Sequence, residues 1–368
     1  MRPRQPFEHR WWNLLLLGLA LFALGACGDD AVAPSELIDP SEIGDGSGYP
    51  GLSWWSAPSP EALGWSSEAL RGASRLASDM GSGAFMVVDR GILVWEYGDT
   101  DRNWIVQSVR KSFLSALYGI YHDEGDIDLS LTLAELGIDD KPPSLSEEEK
   151  QATIEHLLQA RSGVYHEAAA ESQWMKDTRP PRVSHPPGTF WYYNNWDFNA
   201  LGTIFTQLTG SGVFEALYTR LAVPLQMQDF HVENGHYYFE DVSIHPAYHF
   251  SMSARDMARF GLLFLRNGRW RDRQIVPEAW VAESTYPFSD AGSAWGYGYM
   301  WWVGKPEAWA GHTLYAARGG SGHTIFVVPD MEVVVVHRVD YETWGSDWLG
   351  VYDLVMRILA ARDPLREE

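Results

Sequence analysis

The chain has a single cysteine among its 368 residues, so it contains no intrachain disulfide and no cysteine-rich zinc site. Basic residues are also scarce: 28 Lys and Arg stand against 49 Asp and Glu, which gives a formal net charge of −21. We therefore expect no nucleic-acid partner, because phosphate binding needs clustered basic side chains. Gly-x-Ser-x-Gly and His-Glu-x-x-His are both missing, which excludes the nucleophile elbow of α/β-hydrolases and the zincin metal site.

Apolar and aromatic residues, in contrast, are abundant. Hydrophobic residues make up 45% of the chain and charged residues 21%, which is typical of a globular protein and excludes a fibrous or disordered one. The 18 Trp, 17 Tyr and 15 Phe favour a large core and an aromatic-lined cleft. No motif indicates a cofactor.

The first residues have the organisation of a bacterial lipoprotein signal peptide. Three arginines precede the apolar run Leu14–Leu24, whose 11 residues are too few to span a bilayer. The run ends in Leu-Gly-Ala-Cys, which resembles a lipobox whose cysteine, Cys27, receives lipid. We expect residues 1–26 to be cleaved and Cys27 to anchor the protein to a membrane of the bacterial cell envelope, facing the periplasm or the exterior. An ordinary cleaved signal with an incidental cysteine is the alternative.

A disordered acidic tether is predicted over residues 27–50. Positions 28–50 contain six acidic residues and no basic one, and they are rich in Gly, Pro and Ser. The folded domain is then expected over residues 51–368. No internal repeat is present, and the sequence does not indicate the oligomeric state.

Within the folded domain, strand signals lie at both ends and helical signals between them. A hairpin is predicted over 84–97, and four runs predict an antiparallel meander: 297–303, 313–317, 324–328 and 332–337. Helices are predicted over 60–78, 108–121, 253–266 and 348–361. The predicted fold class is α+β: an antiparallel sheet built from about 51–124 and 251–368, flanked by helices, with a mostly helical insert over about 125–250.

The first candidate for chemistry is a serine and a lysine at the start of the predicted helix 108–121. The chain has only five lysines, and Lys111 stands three residues after Ser108, which places both side chains on one helical face. Free N–H groups at a helix N-terminus favour negative charge beside Ser108. A neutral Lys111 could act as the base that a serine nucleophile needs. Taken alone, a capping serine and a surface lysine would give the same pattern.

A second motif lies in Pro187–Asn195 (PGTFWYYNN). With the Ser-x-x-Lys pair it resembles the boxes of the serine β-lactamase-like hydrolases: class C β-lactamases, D-alanyl-D-alanine carboxypeptidases, related esterases and 6-aminohexanoate-dimer hydrolase. The boxes occur in family order over roughly 60–360, and the stretches 160–166 and 192–202 are most similar to the 6-aminohexanoate-dimer hydrolase branch. The resemblance implies a β-lactamase/transpeptidase-like fold.

The second box of this family is Tyr-x-Asn, and two tyrosines compete for it here. The spacing to Gly188 and Gly202 selects Tyr193 and Asn195 over the residues one position earlier. The resemblance implies that Tyr193 shares the general acid and base work with the lysine and relays a proton to the leaving group. It also implies that Asn195 contacts the substrate.

The best match to the third box is 317–323 (ARGGSGH). The family has Lys-Thr-Gly or His-x-Gly there, on a strand, so Ala317 replaces the usual basic residue. Binding of a β-lactam carboxylate is therefore not expected. Arg318 stands next to Ala317, but neighbouring side chains on a strand point to opposite faces.

The remaining residues of the third box are expected to complete the substrate site. The resemblance implies that the N–H groups of Ser108 and Gly320 face the oxyanion, and Gly319 allows a close approach of the substrate carbonyl. His323 is expected to line the rim of the cleft, although a role as catalytic base stays open.

A metal site is considered and not expected. Four histidines fall within 19 residues: His231, His236, His245 and His249. Pro246 would break the helix needed to place the last two on one face.

The sequence thus predicts a serine hydrolase that cleaves a small-molecule amide or ester through an acyl-enzyme on Ser108. An esterase or amidase fits better than a true β-lactamase. The alternative is a protein of the same fold that binds or scaffolds without turnover.

If Cys27 carries the lipid, then Cys27→Ser should release the protein from the membrane fraction. The reason is that positions 28–50 contain no apolar stretch that could hold it there. Fractionation of cells that express either form measures this. A variant that still sediments with membranes would show that the lipobox interpretation is wrong.

Overall fold

The computed structural model describes residues 37–340 and 348–362, and an eight-stranded antiparallel sheet lies at its centre. The strands are β1 (Ser82–Asp89), β2 (Ile92–Gly98), β3 (Trp104–Ile105), β4 (Gly235–Tyr238), β5 (Ala247–Met252), β6 (Arg269–Trp270), β7 (Arg273–Gln274), β8 (Ser289–Asp290), β9 (Trp295–Tyr297), β10 (Trp302–Gly304), β11 (Tyr315–Gly319), β12 (His323–Val328) and β13 (Val333–Val339). The α-helices are α1 (Ser67–Asp79), α2 (Arg110–Asp123), α3 (Leu133–Leu136), α4 (Ile154–Leu158), α5 (Gln173–Thr178), α6 (Asn195–Thr209), α7 (Val213–Leu217), α8 (Ala254–Leu265), α9 (Glu278–Ser284) and α10 (Trp348–Leu359). The predicted α+β class is confirmed.

Both ends of the folded domain build the central sheet. Its strand order is β2-β1-β13-β12-β11-β10-β9-β8, so β1 pairs with β13 although the two are far apart in the chain. β13 (VVVVHRV) is buried along its whole length because helices cover both faces of the sheet. α1 and α10 pack on one face and α8 on the other. An antiparallel sheet made from both chain ends was predicted, and the structure confirms it.

The segment between the two halves of the sheet contains α3–α7 and long irregular stretches, as expected of a mostly helical insert. It ends, however, in β4 and β5, which the pattern did not predict. These strands form a second sheet with β3, in the order β3-β5-β4. The sheet continues toward α2, because the N–H of Val106 donates to the carbonyl of Phe250 at 3.0 Å. It therefore fixes the chain just before α2.

The single strand predicted over 297–303 is wrong. The chain makes a tight turn there, and β9 and β10 pair with each other across it. Met300 in the turn has a φ of +61°, and its N–H donates to the carbonyl of Leu158 at 3.1 Å. The residue pattern of 297–303 could not predict this turn, because the turn is stabilised by Leu158, which is distant in the sequence. The turn sets Trp302 opposite Tyr297.

The disordered tether predicted over 27–50 is also corrected for the part that the structure describes, because residues 37–50 pack on the domain. The ring of Tyr49 lies 5.2 Å from that of Trp270, and its hydroxyl donates to the carbonyl of Arg269 at 3.3 Å. Asp45 forms an ion pair with Arg271 at 3.0 Å. An acidic, Gly-rich segment is ordered here by one buried aromatic residue and by basic side chains of the domain.

The predicted signal peptide and Cys27 lie outside the described residues. Among the helices that are described, none has the length and apolar character needed to cross a bilayer.

Candidate active site

Ser108 lies on a short 3₁₀ turn, Gln107–Val109, that leads directly into α2. Gln107 has a φ of +54°, in the left-handed region that non-glycine residues rarely adopt. Such backbone strain costs on the order of 1–3 kcal/mol and persists where neighbouring structure enforces it. Here the bond from Val106 to β5 holds one side of the turn and α2 holds the other. The strained residue immediately precedes the half-buried Ser108.

Lys111 occupies the first turn of α2 and is only 1% exposed. Its Nζ lies 2.6 Å from the Oγ of Ser108 and 3.0 Å from the Oη of Tyr193. The same Nζ is 4.8 Å from the ring centroid of Tyr193 and from that of Phe198. The amine thus has two hydroxyl partners and two aromatic walls.

The surroundings of Lys111 favour the neutral amine. Burial, and after it the positive charge of Arg110, hold the pKa of Lys111 well below its ordinary value. Within 37–340 and 348–362, no carboxylate forms an ion pair with this lysine. A neutral amine in hydrogen-bond contact with a serine hydroxyl can accept its proton.

Tyr193 is protonated in this environment at neutral pH. Burial raises the pKa of its phenol above the ordinary value, although a hydrogen bond with Ser108 and nearby arginines oppose part of the rise. A phenol in contact with both the serine and the lysine can pass a proton from one group to another. Ser108, Lys111 and Tyr193 are therefore brought together by the fold.

The two competing pairs in the second box have distinct places. The hydroxyl of Tyr192 donates to the carbonyl of Met175 at 2.6 Å and therefore stabilises α5 in the insert. The side chain of Asn194 caps α6 by accepting from the N–H of Asp197 at 3.1 Å. Both earlier residues are thus occupied with structural bonds.

Asn195 is buried at the first position of α6. Its Nδ2 donates to the carbonyl of Ala170 at 2.5 Å, while its Oδ1 has no hydrogen-bond partner among the described residues. No hydrogen bond joins Asn195 to Ser108 or Lys111 in the described part of the chain. The predicted contact of Asn195 with substrate stays a prediction.

Gly319 ends β11 directly against the turn that carries Ser108. A Cβ at this position would lie 2.4 Å from the carbonyl oxygen of Val106 and 3.2 Å from the nitrogen of Ser108. Only glycine allows this approach. Around Gly320, in contrast, the space is open for at least 4 Å. The third box therefore adjoins Ser108 and leaves room beside Gly320.

The side chains of the third box alternate as expected. Ala317 is buried in the core on the α2 side of the sheet. Arg318 points to the other face, where its guanidinium lies 4.3–4.8 Å from the ring centroids of three tryptophans: Trp295, Trp302 and Trp348. These rings form an aromatic cage around the cation. The cation is therefore held by these rings on the face opposite Ala317, although it lies near enough to Tyr193 to oppose the rise in the pKa of that phenol.

The expectation that His323 lines the cleft rim is wrong. His323 is the first residue of β12, but its side chain is 0% exposed. Burial, followed by the charges of Arg338 and His337, holds the pKa of His323 well below its usual range. His323 is therefore buried at the start of β12 and does not line an exposed rim, and its contact with substrate stays a prediction.

Three of the four histidines of the insert have other partners in the structure. His245 is buried, with Nδ1 3.0 Å from the hydroxyl of Thr203 and Nε2 3.0 Å from the carbonyl of Asp139. The rings of His236 and His249 stack at 5.8 Å across β4 and β5. No group of three or more potential metal ligands occurs in the described ranges.

Two further features lie beside the site, one expected from the aromatic content of the chain and one not. One is an aromatic wall: the ring of Trp302 lies 5.4 Å from that of Tyr193, 5.2 Å from that of Tyr297 and 6.1 Å from that of Trp191. The other is Arg110, which is buried beside the lysine. Its only sequence signal is its position inside the Ser-x-x-Lys box.

Comparison with known proteins agrees with this geometry. The Beta-lactamase family model matches residues 70–348. The chain belongs to this family. Together with its structural relatives, membership shows a serine hydrolase with the β-lactamase/transpeptidase-like fold, which confirms the predicted family and enzyme class. A search of curated proteins finds no match.

Solved structures of Beta-lactamase relatives show the same fold at low identity. A candidate 6-aminohexanoate-dimer hydrolase from Bacillus anthracis is 23% identical, with a TM-score of 0.61 over 78% of this chain and 81% of that one. A candidate beta-lactamase from Bacteroides dorei is 17% identical, with a TM-score of 0.61 over 80% and 99%. EstCE1, a hydrolase with promiscuous acyltransferase activity, is 16% identical, with a TM-score of 0.56 over 78% and 98%.

Proposed function

We propose that the protein is a lipid-anchored serine hydrolase that cleaves small neutral esters or amides through an acyl-enzyme on Ser108. One observation carries the proposal: the amine of Lys111 lies 2.6 Å from the Oγ of Ser108 and 3.0 Å from the Oη of Tyr193. The amine is buried and has no acidic partner among the described residues. This is the arrangement that activates a serine.

The reaction follows from the positions of these groups. The Oγ of Ser108 attacks the substrate carbonyl carbon while its proton passes to the Nζ of Lys111. In this proposal the negative oxygen that forms accepts from the N–H groups of Ser108 and Gly320. Lys111 returns the proton through Tyr193 to the leaving alcohol or amine, and the acyl-enzyme forms. Water then attacks the acyl carbon, with the same groups accepting its proton and restoring the serine.

The walls of the site favour a substrate without a negative charge. The side chain at 317 is a methyl group, and Arg318 is held in its aromatic cage on the other face. The rings of Trp191, Tyr297 and Trp302 offer an apolar surface beside Tyr193. A formal charge of −21 adds a repulsive field for anions, which salt screens beyond about 8 Å.

Cleavage of a linear amide agrees with the name of one relative, a candidate 6-aminohexanoate-dimer hydrolase. A covalent acyl-enzyme agrees with the promiscuous acyltransferase activity named for another, the hydrolase EstCE1. The lipid anchor rests on the lipobox at Cys27 alone. In this proposal the enzyme works at the surface of a bacterial envelope membrane, on small molecules that diffuse to it.

We expect Ser108→Ala to reduce kcat for p-nitrophenyl butyrate by at least about a thousandfold, because removal of a serine nucleophile eliminates the covalent route. Labelling by a fluorophosphonate should disappear with it. Ser115→Ala is the matched control, since Ser115 lies in α2, which directly follows Ser108, is fully buried and has a hydroxyl without a partner in the described structure. It should keep both activities.

Two results would overturn the proposal. Undiminished hydrolysis by folded Ser108→Ala would place the nucleophile elsewhere. A wild-type protein that binds substrates or penicillins without turnover or covalent labelling would favour the non-catalytic alternative.

We also expect nitrocefin to be a poorer substrate than p-nitrophenyl butyrate, with kcat/KM lower by at least about tenfold. The drug's carboxylate would lack the basic partner that position 317 supplies in relatives, and one such charged hydrogen bond contributes about 1.5–3 kcal/mol. Both values are measured on one preparation, with Ser108→Ala as the background. A nitrocefin value equal to or above the ester value would contradict the argument.

A further inference from the structure

Arg110, the residue before Lys111, is a buried cation without an acidic partner. It is 1% exposed and forms no ion pair with any described residue. Its Nη2 donates to the Oδ1 of Asn199 at 3.3 Å, and its guanidinium carbon lies 4.6 Å from the ring centroid of Tyr248. Its Nε and Nη1 have no hydrogen-bond partner in the described part of the chain. An amide and an aromatic ring leave its full charge in place.

Such an arrangement destabilises the fold, which indicates a role for the charge. Burying an ion without a counter-ion carries a penalty of several kcal/mol, and an apolar side chain of similar length would avoid it. A charge that no carboxylate neutralises also acts over a longer range in a low dielectric. Its nearest titratable neighbour along α2 is Lys111.

We infer that Arg110 is a positioning residue of the active site, whose uncompensated positive charge keeps the neighbouring Lys111 in the neutral form that accepts the serine proton. The inference rests on the proposed function, because it assigns a role only if Lys111 is the base. Successive residues of a helix diverge by about 100°, so Arg110 and Lys111 point in different directions. Arg110 therefore acts on the amine through its electric field.

The other groups around this pair do not cancel the charge. They come from three further parts of the structure: Tyr193 and Asp197 at the start of α6, Tyr248 and His249 on β5, and Tyr297 on β9. Burial raises the pKa of Asp197 to about 8, so this carboxyl is neutral at pH 7. Burial, followed by the charge of Arg110, lowers the pKa of His249 to about 3, so this imidazole is also neutral.

The three tyrosines are neutral for the same reason, since burial raises the pKa of each phenol. Arg318 adds a second positive charge near Tyr193, inside its aromatic cage. The described surroundings of Lys111 therefore contain positive charge and neutral groups at pH 7. Under these conditions a proton on Lys111 is disfavoured by burial and by Arg110 together.

The test is the pH dependence of kcat/KM for p-nitrophenyl butyrate in Arg110→Gln. Glutamine removes the charge and keeps an amide that can donate to Asn199. Without the charge the pKa of Lys111 rises, so the midpoint of the acid limb should move up by about one pH unit. At pH values below both midpoints this lowers kcat/KM about tenfold, while the alkaline plateau changes little. Arg110→Lys, which keeps a charge, should retain the wild-type midpoint.

A second variant changes the charge beside Lys111 by substituting Asn199, the hydrogen-bond partner of Arg110. Asn199→Asp places a carboxylate 3.3 Å from the Nη2 of Arg110 and neutralises the charge while the arginine stays in place. Its acid limb should also move up. Tyr248→Phe is the matched control, because it keeps the ring beneath the guanidinium and removes only a hydroxyl without a described partner. Its midpoint should not move.

A wild-type midpoint in folded Arg110→Gln, or a loss of activity that is equal at every pH, would overturn the inference and leave Arg110 a purely structural role. If that variant does not fold, an unmoved midpoint in Asn199→Asp overturns it. Failure of the proposed function is a separate outcome, since hydrolysis would then persist in Ser108→Ala.

Discussion

A lysine amine enclosed without an opposite charge is the constraint on which the rest of the site depends. Each unit by which the pKa of Lys111 falls below its ordinary value of 10.5 costs about 1.4 kcal/mol. Burial of α2 between the insert and the sheet lowers this pKa, because it keeps bulk water away from the amine. The packing of the fold has to compensate for the cost. Arg110 then adds to the effect that burial begins. The burial of α2 thus produces the neutral amine on which the proposed chemistry depends.

Three distant parts of the chain converge on that amine. Ser108 lies on the 3₁₀ turn before α2 and Lys111 lies in α2 itself. The segment before α6 carries Tyr193, and Gly319 ends β11. The close approach of Gly319 to the nitrogen of Ser108 joins the sheet to the turn Gln107–Val109. β5 holds the same turn from the opposite side. The strained backbone at Gln107 is maintained between these two supports.

Much of this could be predicted, for reasons that are local. The spacing of Ser108 and Lys111 follows helical geometry, and α8 (Ala254–Leu265) lies within the helix predicted over 253–266. What could not be predicted depends on distant partners. The turn at Met300 is held by Leu158, and His323 is buried by elements that no local pattern reveals. The role proposed for Arg110 likewise could not be predicted, because only the three-dimensional structure shows that no described carboxylate lies beside it.

The central claim is that the neutral Lys111 makes Ser108 the covalent nucleophile. Peptide mapping after complete inhibition by a fluorophosphonate tests it most directly. Trypsin releases residues 103–110 (NWIVQSVR), in which Ser108 is the only serine, so an adduct on this peptide needs no further localisation. The account predicts the added phosphonyl mass on this peptide in the wild type and its absence in Lys111→Met. Full inhibition with an unmodified 103–110 peptide, or with the adduct on another peptide, would contradict it.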